Sequence, residues 1–191
     1  TAPELSQAFG ECLGLWSAVT WHAMGAPRRI VLAEFGPGRG TLMSDALRAV
    51  RDAVPDFSQA AEVHLVETSP ALRALQSRRV PEATWHAEAA TLPDGPAIII
   101  ANEFFDALPI RQFIRRGAGW MERCVAAGAF VEAPAPDQGE APDGAVREVS
   151  EASLALAAML GQRVASQGGA ALILDYGPAE SGFGDTLQAL R

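Results

Sequence analysis

Glycines stand at alternate positions 36, 38 and 40, directly after the apolar run Ile30-Val31-Leu32-Ala33-Glu34-Phe35. A backbone that passes close beneath a nucleoside needs glycine there, because a Cβ would take the ligand's place. A carboxylate, Glu34, precedes Gly36 by two residues. A dinucleotide fingerprint would place its last glycine at position 41, where this chain has Thr41. The next apolar run, Val63-His64-Leu65-Val66, ends in Glu67. An acid at that place can accept hydrogen bonds from ribose hydroxyls. A third run, Ala97-Ile98-Ile99-Ile100-Ala101, leads into Asn102, Glu103 and Asp106. Two carboxylates three residues apart share one face of a helical turn.

The elements that must position these residues are strands buried on both faces. Four continuous apolar runs, the last being Ala170-Ala171-Leu172-Ile173-Leu174, each end in polar or glycine residues. Parallel sheets covered by helices read this way, and their ligands lie beyond the carboxyl ends of the strands. The E-x-G-x-G-x-G spacing of residues 34–40 resembles that of S-adenosylmethionine (SAM) methyltransferases. The expected fold is therefore α/β, a class I, Rossmann-like sheet. Ser69-Pro70 predicts a helix cap followed by proline at the first helical position, opening a helix over 69–79. Thr41 is expected to cap the helix after the glycine loop, and Ala83-Thr84-Trp85-His86 to form a short strand.

Before the loop, Thr1-Ala2-Pro3-Glu4 resembles a capping box. Leu5, Phe9, Cys12, Leu13, Trp16 and Val19 then recur at helical spacing. Between Ile110 and Val125 the αβ rhythm breaks. Arg111-Gln112-Phe113-Ile114-Arg115 and Trp120 to Val125 flank Gly117-Ala118-Gly119, which predicts an inserted antiparallel hairpin, extended to residue 131 by Phe130 and Val131. Residues 133–144, rich in Pro, Asp, Glu and Gly, read as an exposed loop, and Ser150 to Gln167 as a long helix.

At 191 residues the chain has the length of one domain. Its net charge of −8 supplies no basic footprint for nucleic acid. No apolar run reaches the about 18 residues of a membrane span. Two cysteines cannot make a disulfide framework, which points to a reducing compartment. His22, His64 and His86 have no metal-ligand spacing, and His64 reads as a packed histidine, so no metal site is expected. The chain opens on Thr1 and stops at Arg191, soon after the last strand, and is read as incomplete at both ends.

Four segments together resemble the MidA-like family of SAM-dependent methyltransferases. They are Thr1-Ala2-Pro3-Glu4-Leu5-Ser6-Gln7-Ala8-Phe9-Gly10-Glu11, the loop Glu34 to Met43, Asn102-Glu103-Phe104-Phe105-Asp106-Ala107-Leu108-Pro109, and Asp175-Tyr176-Gly177. The third is the most specific, since generic methyltransferases do not carry it. Phe35 stands where the family more often has Leu.

The resemblance implies SAM as cofactor, S-adenosylhomocysteine (SAH) as product, and methylation of arginine in a protein, with a respiratory complex I subunit as the partner. It implies the mitochondrial matrix in a eukaryote and the cytoplasm in a bacterium. Gly36, Gly38 and Gly40 would pass under the cofactor, and Glu67 would hold its ribose. Glu34 either meets the amino-acid end, directly or through water, or satisfies the loop's own N–H groups. Trp85 or His86 flanks the adenine, with core packing the alternative for Trp85. Arg39 contacts a carboxylate or faces solvent. Asn102, Glu103 and Asp106 would hold the acceptor, because carboxylates grip a guanidinium bidentately. The alternative for Glu103 and Asp106 is a helix-capping pair. A small-molecule methyltransferase and a non-catalytic assembly factor are the rival readings.

Overall fold

The computed structural model describes residues 2–177 and 182–187. The chain divides into two compact units, Thr1–Ala107 with Ala158–Tyr176, and Leu108–Ala157 with Gly177–Arg191.

The first unit begins with α1 (Ala2–Leu5) and α2 (Gln7–Ala23). The single N-terminal helix expected from the sequence is broken at Ser6, whose backbone is extended, and Thr1 of the capping box lies outside the described residues. The buried face of α2 also differs from the expected one. Gly10, Leu13, Gly14, Ser17, Ala18 and Trp21 are buried, while Leu5, Cys12 and Val19 are exposed. The reason is close approach. A Cβ on Gly14 would lie 2.6 Å from the Ala46 carbonyl oxygen of the next helix, so the face that carries the glycines turns inward.

β1 (Ile30–Phe35) is buried throughout and leads through the glycine loop to α3 (Thr41–Ala53). Pro55 does not merely stop α3; it opens a further helix, α4 (Pro55–Ala60). β2 (Ala61–Val66), α5 (Pro70–Arg79), β3 (Thr84–His86) and β4 (Ala97–Asn102) follow. Ser69 caps α5 by accepting from the Leu72 N–H at 3.4 Å, as its sequence predicts. The last strand of this unit is β9 (Gly169–Leu174). All pairings in the sheet are parallel, in the order β3-β2-β1-β4-β9. This is the α/β sheet expected from the four apolar runs. Ile30, Leu32, Val63, Leu65 and Ile98 pack with Met43, Phe57 and Trp21 in the main core. The carboxyl ends of β1, β2 and β4 therefore stand side by side, and the candidate residues are carried on them.

The second unit is an antiparallel sheet of β5 (Arg111–Arg116), β6 (Gly119–Ala126), β7 (Ala129–Ala135) and β8 (Val146–Val149), in the order β7-β6-β5-β8. The hairpin legible in the sequence is its β5–β6 pair. Residues 133–135, read as loop, belong to β7, where Pro134 sits opposite Met121 on an edge strand that tolerates a missing N–H. α6 (Glu151–Gln167) starts after Ser150, whose hydroxyl oxygen accepts from the Ser153 N–H at 3.1 Å. No helix among the described residues is long and apolar enough to cross a membrane.

Candidate cofactor and acceptor site

The glycine loop lines a cavity of about 240 Å³ together with Glu34, Leu42, Asn102, Glu103 and Asp106. The three glycines all have positive φ, +61°, +53° and +77°, but serve different needs. A Cβ on Gly36 would lie 2.6 Å from Cδ2 of Phe104, whose ring packs edge-on against Phe35. A Cβ on Gly40 would press on Gln76 of α5 at 3.4 Å. Only at Gly38 would a Cβ meet nothing within 4 Å. The sequence argument that a side chain would displace a ligand thus fits Gly38. Gly36 and Gly40 make room for protein.

Glu34 is 3% exposed, and its Oε2 has no hydrogen-bond partner in the structure. Burial pushes its carboxyl up to about 8, against the opposing effect of the Met43 N–H. One oxygen therefore accepts from the first turn of α3 and not from the glycine loop, and Oε2 has no protein partner. The raised value has a consequence for stability. The unfolded chain releases this proton in the ordinary carboxyl range, whereas the folded chain keeps it. The stabilisation is full below that range and is lost as pH rises through about 8. Glu34→Gln, permanently neutral, is expected to remove that loss. Denaturant titrations of the ligand-free protein from about pH 5 to about pH 9 should show wild type losing stability relative to the variant. A constant difference would show that Glu34 ionises normally.

Glu67 is buried just past β2 and lies outside the cavity lining. Its Oε1 accepts from the Ser69 N–H at 2.8 Å, and its Oε2 from Gln76 Nε2 at 3.3 Å. Each oxygen keeps a second lone pair, so acceptor capacity remains. Gly40, Trp85 and His86 also lie outside the lining. Trp85 packs against the main core and donates its indole N–H to Gln76 Oε1 at 2.8 Å. His86 is committed at both ring nitrogens. Thr91 donates to the Glu88 carbonyl, so its hydroxyl oxygen accepts from His86 Nδ1. His86 Nε2 then accepts from His64 Nδ1 at 2.9 Å. His86 is neutral in this arrangement, and burial lowers the pKa of both rings. His64 is a packed histidine, and no His, Cys, Asp or Glu group fit for a metal occurs among the described residues.

Two expectations about local geometry need correction. Thr41 does not cap α3. Gly40 in the left-handed region is the cap residue and makes no side-chain bond, while the Thr41 hydroxyl accepts from Arg79 at 2.7 Å. Glu103 and Asp106 do not sit on a helix, because residues 103–110 form turns, bends and irregular backbone. The helix-capping alternative therefore falls away. Glu103 itself has φ +48°, and its N–H donates to the Leu174 carbonyl at 2.8 Å. That bond ties the turn to the end of β9. Asp175, next in the chain, accepts from the Phe105 N–H at 2.9 Å and hydrogen-bonds Asp106. Burial first, then the charges of Asp175 and Glu103, raises the Asp106 pKa. Asp175 is thus a third acid of this cluster, unassigned from sequence although its Asp-Tyr-Gly segment stands out there.

A second cavity, of about 320 Å³, is lined by Phe9, Ile173, Leu174, Tyr176 and Asp175. It shares Asn102 and Glu103 with the first. The two residues stand between a glycine-lined cavity and a mostly apolar one.

A parallel sheet with a glycine loop after β1 and an acid after β2 defines a Rossmann-like, class I methyltransferase fold. Residues 12–191 match the family described as "Putative S-adenosyl-L-methionine-dependent methyltransferase", and the chain belongs to that family. It is 33% identical to the mitochondrial protein arginine methyltransferase NDUFAF7 of Xenopus laevis, over 93% of this chain and 49% of that protein. It is 34% identical to the Homo sapiens protein of the same name, over 93% and 48%. A crystal structure from Burkholderia thailandensis, bound to S-adenosyl-homocysteine, superposes with a TM-score of 0.68 at 29% identity, over 85% of this chain and 46% of that one. The chain spans about half the length of the curated relatives it matches. The residues present fit such a cofactor, since Gly38 leaves open space and the unpartnered Glu34 oxygen borders the same cavity.

Proposed function

We propose that this chain binds SAM in the glycine-loop cavity and takes part in methylating an arginine of a protein substrate. The observation that carries the reading is the pair of cavities meeting at Asn102 and Glu103, one with an unsatisfied buried carboxylate and one with apolar walls and acids. When bound, the cofactor supplies a methyl group on a sulfonium. Glu34 Oε2 would accept from its ammonium group, which would draw the carboxyl back toward ionisation. Glu67, with its remaining lone pairs, would accept from the ribose hydroxyls.

Glu103, Asp106 and Asp175 would orient the acceptor guanidinium and offset its charge. The raised pKa suits Asp106 to take the proton that leaves the reacting nitrogen. The apolar walls formed by Phe9, Ile173 and Leu174 suit the methylene stem of an arginine. The arginine assignment is supported by the relatives, which are named protein arginine methyltransferases, and a complex I subunit is the partner class that the family resemblance suggests. Those relatives are named as mitochondrial, and the matrix is the location proposed for a eukaryotic source.

The test is transfer of labelled methyl from SAM into protein extract by the full-length protein, followed by hydrolysis and separation of the labelled amino acids. Label in methylarginine is expected. Label in small molecules alone would favour the rival enzyme reading. SAM binding without any transfer would favour a non-catalytic assembly factor.

A further inference from the structure

Gln76 lies midway along α5 and is fully buried, the only buried residue of that helix. Its amide has a partner for each end. Nε2 donates to the Gly38 carbonyl at 2.8 Å and to Glu67 Oε2 at 3.3 Å, and Oε1 accepts from the Trp85 indole N–H at 2.8 Å. The orientation of the amide follows from chemistry. An indole N–H only donates and a carbonyl only accepts, so Oε1 must face Trp85 and Nε2 must face Gly38. Gly40 permits the arrangement, because a Cβ there would press on Gln76. A polar side chain with no exposure and three partners is held in one geometry, since any lost bond leaves a buried group unpaired.

We propose that Gln76 is a positioning residue for the nucleoside cofactor. Its one amide fixes the plane of the Gly38–Arg39 peptide and the rotamer of Glu67, and so sets the distance between the loop that passes under the ligand and the acid that takes its ribose diol. Trp85 belongs to the same unit as the clamp on the far end of the amide, not as a wall of the cavity. The inference rests on the cofactor reading above.

The test compares Gln76→Glu and Gln76→Met with wild type. Gln76→Glu keeps the shape but turns an acceptor toward the Gly38 carbonyl and the Glu67 carboxylate. Gln76→Met keeps the volume and loses all three bonds. SAH affinity, measured by calorimetry, is expected to fall by at least about tenfold in Gln76→Glu. In the full-length enzyme the KM for SAM should rise more than kcat falls. Amide hydrogen exchange at residues 37–40 of the ligand-free protein should accelerate in both variants. The double variant Glu67→Gln with Gln76→Glu restores a donor–acceptor pair between 67 and 76 and should recover part of the affinity. A merely structural role would lower the melting temperature of Gln76→Met while leaving SAH affinity and loop exchange unchanged. That result, or a folded Gln76→Glu within about twofold of wild-type affinity, overturns the proposal. If wild type binds neither SAM nor SAH, the cofactor reading fails. The exchange measurement, which uses no ligand, then decides whether Gln76 holds the loop. Should Gln76→Glu not fold, Gln76→Met is judged by the same two readouts.

Discussion

Gly38→Asn is expected to fold and to lose SAH binding by at least about 100-fold, whereas Gly36→Asn is expected to damage the fold around the site. The two glycines have similar positive φ values, +53° at Gly38 and +61° at Gly36. Asparagine tolerates that region better than other side chains, which limits the conformational strain that both substitutions incur. What differs is the neighbour. At Gly38, which lines the cavity, the new Cβ meets open space, and at Gly36 it runs into the Phe104 ring at 2.6 Å. Overpacking of this kind costs about 1–3 kcal/mol. Thermal melting should therefore separate the variants in one order and calorimetry with SAH should separate Gly38→Asn from wild type. A Gly38→Asn protein that binds SAH normally would place the nucleoside elsewhere.

Methyl transfer should fall by about two orders of magnitude or more in Glu103→Gln and in Asp106→Asn, with a much smaller change in SAH affinity, although both residues border the cofactor cavity. Both substitutions keep size and remove charge. Glu103 borders both cavities, and Asp106 carries the raised pKa that a proton acceptor needs. Asp175→Asn should behave in the same way, because an asparagine oxygen can still accept from the Phe105 N–H while the negative charge is gone. Measured in the full-length protein with labelled SAM, wild-type rates in all three would reduce this cluster to a structural tie between the turn and β9.

The parts of this site that were readable in sequence are those fixed by local chemistry. A buried strand must be apolar, a turn at positive φ favours glycine, and Ser-Pro opens a helix. Residues 30–41, Glu67 and Ser69-Pro70 announce themselves in that way. The hairpin of β5 and β6 is legible because its period of two differs from the helical period around it. What was not legible depends on partners distant in the chain. Gln76 is an ordinary polar residue of a largely polar helix until β1, β2 and β3 bring Gly38, Glu67 and Trp85 to it. Asp175 joins Asp106 only because β9 pairs with β4. The inward face of α2 departs from the hydrophobic period for a related reason. Hydrophobic periodicity marks where bulk can be buried, but here backbone-to-backbone approach with α3 decided the face, and that requires Gly10 and Gly14.

The central claim is that the cavity behind the glycine loop takes a SAM-type nucleoside and not a dinucleotide. Calorimetric titration of the wild-type chain with SAH, alongside NAD under the same conditions, tests it most directly. Saturable binding of SAH at one site, with no heat from NAD, is the predicted result. Binding of NAD, or no binding of SAH by a folded protein, would contradict it.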